Sequence, residues 1–162
     1  MFKQLVLATP LAILALSSSV AFAAEEEKTT INITADIPSK VFHARPVDPQ
    51  FGKAEQMIYQ LGLGTLTPVT GTYDVQHTNG AVGAYVEGGP QPLYNGSNTI
   101  ALTYTFNGKV LTGASQEVVG DSESNGGMRT DLVIRAAKPT DGQYGLYTAN
   151  PVVMFDALPR IP

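Results

Sequence analysis

The side chains able to do chemistry are few, and their spacing limits what they can do. The chain has no cysteine and two histidines, His43 and His77. Thiolate catalysis is therefore absent, and the usual Cys/His sets that hold zinc cannot be assembled. His77 closes a predicted strand and His43 sits in an irregular stretch, so each reads as a surface or capping histidine rather than a ligand. Asp121, Glu123 and Asp131 form the only acidic grouping that suggests a carboxylate pair or a calcium loop. Their spacing matches no EF-hand, and the Gly/Ser-rich surroundings read as a solvated turn. No G-x-S-x-G elbow positions a serine nucleophile. Asn32-Ile33-Thr34 and Asn95-Gly96-Ser97 match a glycosylation sequon, a short pattern of little specificity. Tyr59, Tyr73, Tyr85, Tyr94, Tyr104, Tyr144 and Tyr147 supply aromatic bulk in a chain without tryptophan, and read as core more than as a sugar-stacking platform. The expectation is no enzyme, no cofactor and no metal.

What remains is chemistry of burial. Thr29 to Pro38 reads TTINITADIP, which puts Ile31, Ile33, Ala35 and Ile37 on one face and Asn32, Thr34 and Asp36 on the other. β-Branched residues stiffen the segment as a strand, and Pro38, which has no N–H to donate, terminates it. Two readings are open: the first strand of the domain's own sheet, or a strand donated to a neighbouring sheet. Burying three isoleucines is worth at most about 5–9 kcal/mol, comparable to the whole stability of a domain.

The elements around this segment set its context. Lys3, the apolar run Leu5 to Leu16 and the small-residue site Ala21-Phe22-Ala23 follow the order of a secretory signal, with cleavage expected between Ala23 and Ala24. The run is too short for a membrane span of about 20 residues. The expected division is 1–23 signal peptide, 24–38 N-terminal extension and 39–162 a single domain. The mature chain of about 139 residues can bury a sizeable core. Its net charge of about −5 and lack of a basic cluster do not suit nucleic acid. Export without cysteines leaves burial or assembly to supply what disulfides usually give small exported domains.

From Thr29 onward the pattern has a period of two. Strands are expected at Gln56 to Leu63, Gly71 to Thr78, Ala81 to Glu87, Thr99 to Phe106, Lys109 to Thr112, Thr130 to Ala136 and Pro151 to Ala157. Asn107-Gly108 between two of them is a strong hairpin signal. Ser39 to Ala54, with two prolines, is read as irregular, and no amphipathic helix is expected. About seven short strands separated by turns predict an all-β, immunoglobulin-like two-sheet sandwich.

Several stretches, in order, resemble the major subunits of the alternate (α-class) chaperone–usher fimbriae of the coli-surface-antigen-one type, which include colonisation factor antigen I. INITADIP (Ile31 to Pro38) is similar to the family's donor strand. VQHTN (Val75 to Asn79) is similar to its V-H-T-N strand end, and LTYTFNGKVLT (Leu102 to Thr112) to its strand–turn–return. DLVIRAAKP (Asp131 to Pro139) resembles E-L-V-I-S-A-A-P. Gln143-Tyr144-Gly145 followed by PVVMF (Pro151 to Phe155) resembles the closing strand. That family also lacks cysteines. Two departures stand out: Ile37-Pro38 comes one residue early, and Leu158 to Pro162 extends past the expected last strand.

The resemblance implies a sandwich that is incomplete until a neighbour donates its strand, with Ile31, Ile33, Ala35 and Ile37 filling successive pockets. It further implies a periplasmic chaperone, an outer-membrane usher, a tip adhesin subunit and identical subunits as partners, in a fimbria on a Gram-negative cell surface supporting adhesion. A minor or tip-associated adhesin, or a secreted immunoglobulin-like glycan-binding module, is the alternative; a tip adhesin would need a receptor-binding domain for which about 139 residues leave no room. A hydrolase ranks a distant third.

Overall fold

The computed structural model describes residues 29–35, 37 and 41–160. The expected signal peptide, its cleavage site Ala23–Ala24 and the strand terminator Pro38 lie outside the described residues. The chain divides into a unit Met1–Ala35 and a unit Asp36–Pro162. In the first, 29–35 carry no regular secondary structure.

The second unit is all-β apart from one short helix. In chain order it contains β1 (Phe42–Pro46), β2 (Tyr59–Gln60), β3 (Thr65–Leu66), β4 (Val69–His77), β5 (Gly80–Val86), β6 (Leu93–Tyr94) and β7 (Thr99–Ile100). There follow β8 (Leu102–Phe106), β9 (Lys109–Val110), β10 (Gln116–Val119), α1 (Asp121–Gly126), β11 (Met128–Ala136) and β12 (Val153–Pro159). A five-stranded sheet, β1-β4-β11-β8-β9, faces a three-stranded sheet, β10-β5-β12, and β2-β3 and β6-β7 form two small ribbons. Every strand pairing is antiparallel.

The two-residue period creates the core. β4 buries Val69, Tyr73, Val75 and His77 and turns Thr70 and Thr72 outward. β8 buries Leu102, Tyr104 and Phe106, and Ile100 on β7 joins them. Phe155 of the smaller sheet meets Tyr73 at 5.4 Å and Phe106 at 4.9 Å between ring centroids, so aromatic contacts bridge the layers. This is the two-sheet, immunoglobulin-like sandwich that the pattern predicts.

The hairpin at Asn107-Gly108 forms as expected. Both residues have positive φ (48° and 76°), and the turn sets Phe106 opposite Lys109. β4, β5, β11 and β12 fall within two residues of the predicted spans.

Other expectations are corrected. Phe42–Pro46, within the stretch read as irregular, is a strand because the edge of β4 offers it a ladder, in register from Phe42↔His77 to Pro46↔Tyr73. Gln56 to Leu63 is no single strand. Gly64 takes a φ of 66° and its N–H, like that of Leu63, bonds to the Gln60 carbonyl, so the run folds into the β2–β3 ribbon. A helix exists where none was expected: one turn, Asp121–Gly126, with the Glu123 carboxylate accepting the Gly120 N–H and the Ser124 hydroxyl donating to the Gly80 carbonyl at 2.6 Å.

His77 is neither a surface nor a capping residue. It is buried, its ring stands edge-on to Phe42, and Nδ1 donates to the Ala81 carbonyl oxygen at 2.8 Å. The expected tail beyond the last strand is partly strand, since Leu158 and Pro159 pair with Ala81 and Gly80. Arg160 then clamps this end, its guanidinium on Asp121 and its N–H on the Asn79 carbonyl.

The register gives the sandwich two ends. The head carries the β4–β5 turn (Thr78-Asn79), α1 and the start of β1. The foot carries the starts of β4 and β12, the end of β11 and the β2–β3 ribbon.

Candidate strand-binding groove

The smaller sheet has three strands against the five of the larger one. β12 pairs with β5 along one edge, and among the described residues its other edge has no strand partner. Such an edge presents a row of backbone donors and acceptors that can template another strand. At the foot end of this edge lies a cleft of about 1290 Å³, which β12 lines through its first residue, Val153. Its floor is apolar: Val69 and Tyr73 from β4, Leu102 from β8, Leu132 and Ile134 from β11, with Val153 at the edge. The volume exceeds the roughly 300–1,000 Å³ typical of small-molecule sites and suits a length of extended chain.

The walls follow from local sequence. On one side, residues 47–57 continue from β1 along the foot half of β4, beginning with the bond from the Val47 N–H to the Thr72 carbonyl at 2.8 Å. Asp48 stabilises the bend by accepting the Gln50 N–H on its carboxylate and the Phe51 N–H on its carbonyl. The Phe51 ring then packs against Gly71, where a Cβ would collide with it, and stands edge-on to Tyr73. Glycine at 71 therefore makes room for the wall. On the other side, residues 139–152 form a loop held by Gln143, whose side chain bonds to the Thr99 carbonyl at 2.9 Å.

The apolar floor is flanked by polar walls, which include Lys53, Glu55, Asp141 and Gln143. Burial raises the Tyr73 phenol above its ordinary pKa. The Tyr147 hydroxyl is buried in the wall with no hydrogen-bond partner among the described residues.

The predicted site residues are placed as follows. Ile31, Ile33 and Ile37 are 74%, 85% and 86% exposed, and Ala35 is exposed as well. A row of isoleucines in water is unusual for a folded chain. The acceptor side was not foreseen as a site, although Leu102, Leu132, Ile134 and Val153 lie in strands that were. Alternation marks them as inward-facing, but nothing in it shows that they line a common cleft.

The acidic candidates do not converge. Asp121 pairs with Arg160, which by hydrogen bonding holds its carboxyl below the usual aspartate range. Glu123 caps α1, and Asp131 accepts the Thr72 hydroxyl at 2.7 Å. Among the described residues no group of three potential ligands surrounds a common point. Of the tyrosines, Tyr104 and Tyr73 are core, whereas Tyr59, Tyr94 and Tyr144 are exposed.

Among solved structures, the chain is similar to the CooA pilin subunit from enterotoxigenic Escherichia coli, with 18% identity, a TM-score of 0.47, and coverage of 62% of this chain and 75% of that one. No curated protein matches the chain. The family model described as CS1 type fimbrial major subunit matches residues 27–156, which takes in the exposed isoleucines and all but the last residues of β12. The chain belongs to the CS1 type fimbrial major subunit family.

Proposed function

We propose that this structural subunit of a cell-surface fimbria polymerises by donor-strand exchange, with Thr29 to Pro38 of one copy filling the groove of the next. One observation carries the reading: a single chain bears both an exposed, alternating apolar segment and an apolar groove beside an unpartnered strand edge. As an extended strand, Ile31 to Ile37 spans about 20 Å, and its four apolar side chains point to one side. Laid along β12, the strand's backbone extends the three-stranded sheet while Ile31, Ile33, Ala35 and Ile37 face Tyr73, Leu102, Leu132 and Ile134. Pro38 ends the pairing because it has no N–H to add.

An exposed groove and an exposed apolar strand in one exported chain are an aggregation hazard before assembly. A periplasmic chaperone covering the groove, an outer-membrane usher and a tip adhesin subunit fit that requirement. Within this reading, cleavage between Ala23 and Ala24 releases the segment 24–38 as an extension of the domain 39–162. The absence of disulfides fits a subunit whose missing stability comes from its neighbour.

The test compares two purified chains by size exclusion and thermal unfolding. One lacks residues 24–38; the other lacks them but carries Thr29 to Pro38 appended through a flexible linker after Pro162. The reading expects aggregation of the first and a sharp, cooperative monomer of the second. A truncated chain that is already a stable monomer would show that the sandwich needs no donor, and the mechanism would be abandoned.

A further inference from the structure

The β2–β3 ribbon has a feature that filling the groove does not use. Its turn projects Leu61 and Leu63, 90% and 67% exposed, and Leu146 from the neighbouring foot loop is 84% exposed. The ribbon is not loose. The Ile58 N–H donates to the Thr67 hydroxyl at 2.8 Å and the Thr67 N–H returns to the Ile58 carbonyl at 2.9 Å, while Gly64 sits against the Lys138 side chain. The backbone thus holds leucines in water at a fixed position, and large apolar side chains exposed at one end of a domain point to an interaction surface.

The geometry of the chain identifies the occupant. This inference rests on the donor-strand reading. All pairings in the domain are antiparallel, and β12 runs from foot to head. A donor that continues the pattern runs from head to foot and leaves the groove with Ile37 at the foot. In the donating copy, the five residues from Ile37 to Phe42 bridge at most about 18 Å. Phe42 opens β1 at the head, opposite His77. The donating copy's head is therefore tethered next to the accepting copy's foot, where the leucines project.

We propose that Leu61, Leu63 and Leu146 form a second, non-covalent contact between copies, docking on the head of the donating subunit around its Thr78-Asn79 turn. The donor strand alone would leave two domains joined by a short link. A packed apolar contact beside that link fixes their relative angle. The head is suited to receive it, since its turn is braced by Ser124 on the Gly80 carbonyl and by Arg160 on the Asn79 carbonyl.

The chain has no cysteine, so Leu61→Cys provides a single thiol. Fimbriae assembled from this variant are labelled with a maleimide while intact and after dissociation in guanidinium. Because residue 61 is almost fully exposed within its own domain, folding alone gives it little protection. The proposal expects labelling slower by about tenfold or more in the intact fibre; comparable rates overturn it. A photo-cross-linker at position 63 is expected to capture the peptide containing residues 77–80 of another copy. Cross-links confined to its own domain or to other proteins overturn the assignment of the head. Ile33→Asp asks the separate question. If fimbriae still assemble with it, the donor strand is refuted, while protection of residue 61 is read on the fibre that forms.

Discussion

Replacing Ile33 tests the donor strand most directly, because its partner face can be tested beside it. Ile33 is almost wholly solvent-exposed in the free subunit, so nearly all of its side-chain area is available for burial. Ile33→Ala leaves a cavity in the filled groove, and large-to-small changes of this kind cost about 2–4 kcal/mol in well-packed sites. That corresponds to a weakening of about 30- to 1,000-fold, expressed mainly as faster dissociation. Ile33→Asp is more severe, since an unpaired carboxylate in an apolar cleft adds a desolvation cost of several kcal/mol. Thr34 points to the opposite face of the strand, so Thr34→Ala is expected to stay within about 0.5 kcal/mol of the parent, as surface changes usually do. The assay follows the dissociation of purified fimbriae into monomers over time in guanidinium, by unboiled gel electrophoresis. The expected order is parent and Thr34→Ala together, Ile33→Ala much faster, and no polymer for Ile33→Asp. Equal effects at positions 33 and 34 would mean that no alternating face is being read, and polymers with Ile33→Asp would refute the groove assignment.

Three further outcomes follow from the geometry. Gly71→Ala places a methyl group against the Phe51 ring and is expected to destabilise the complemented domain by about 1–3 kcal/mol, read as a drop in Tm; an unchanged Tm would show that the 47–57 wall is not held there. Burial pushes the Tyr104 phenol up to about 12 from its ordinary value of 10. Its neutral form is favoured in the fold, so that contribution is complete below pH 10 and is lost as pH rises through 12. Tyr104→Phe is expected to flatten alkaline unfolding in that window, and an identical profile would refute the assignment. Asp121 has the opposite sign: Arg160 lowers its pKa, so its contribution is present above the ordinary aspartate range and is lost as acid protonates it. Asp121→Asn is expected to remove this part of the acid dependence, and denaturation curves across the acid limb would reveal a failure.

Legibility tracked the strength of local signals. β8, its Asn-Gly turn and β9 were readable because alternation and turn chemistry agree over adjacent residues. β10 was missed because Gln116-Glu117 shows no alternation and the register shifts by a bulge between Glu117 and Val119, which leaves Val118 and Val119 both buried. α1 was missed because a single turn of DSESNG has no apolar stripe; its hydrogen bonds to the β4–β5 turn region come from residues more than forty positions away in the chain.

By itself, the sequence determined the alternation of Ile31, Ile33, Ala35 and Ile37 and the strand-rich sandwich, since each follows from residues close together along the chain. Only the tertiary structure decided where the groove lies. The groove takes its floor from β4, β8 and β11, its walls from residues 47–57 and 139–152, and its open edge from β12. A groove is a property of neighbours brought together in space, and no local pattern encodes it. The same holds for His77, whose burial depends on Phe42 and Ala81 closing around it, and for Leu61 and Leu63, which read as strand interior until the turn at Gly64 leaves them in water.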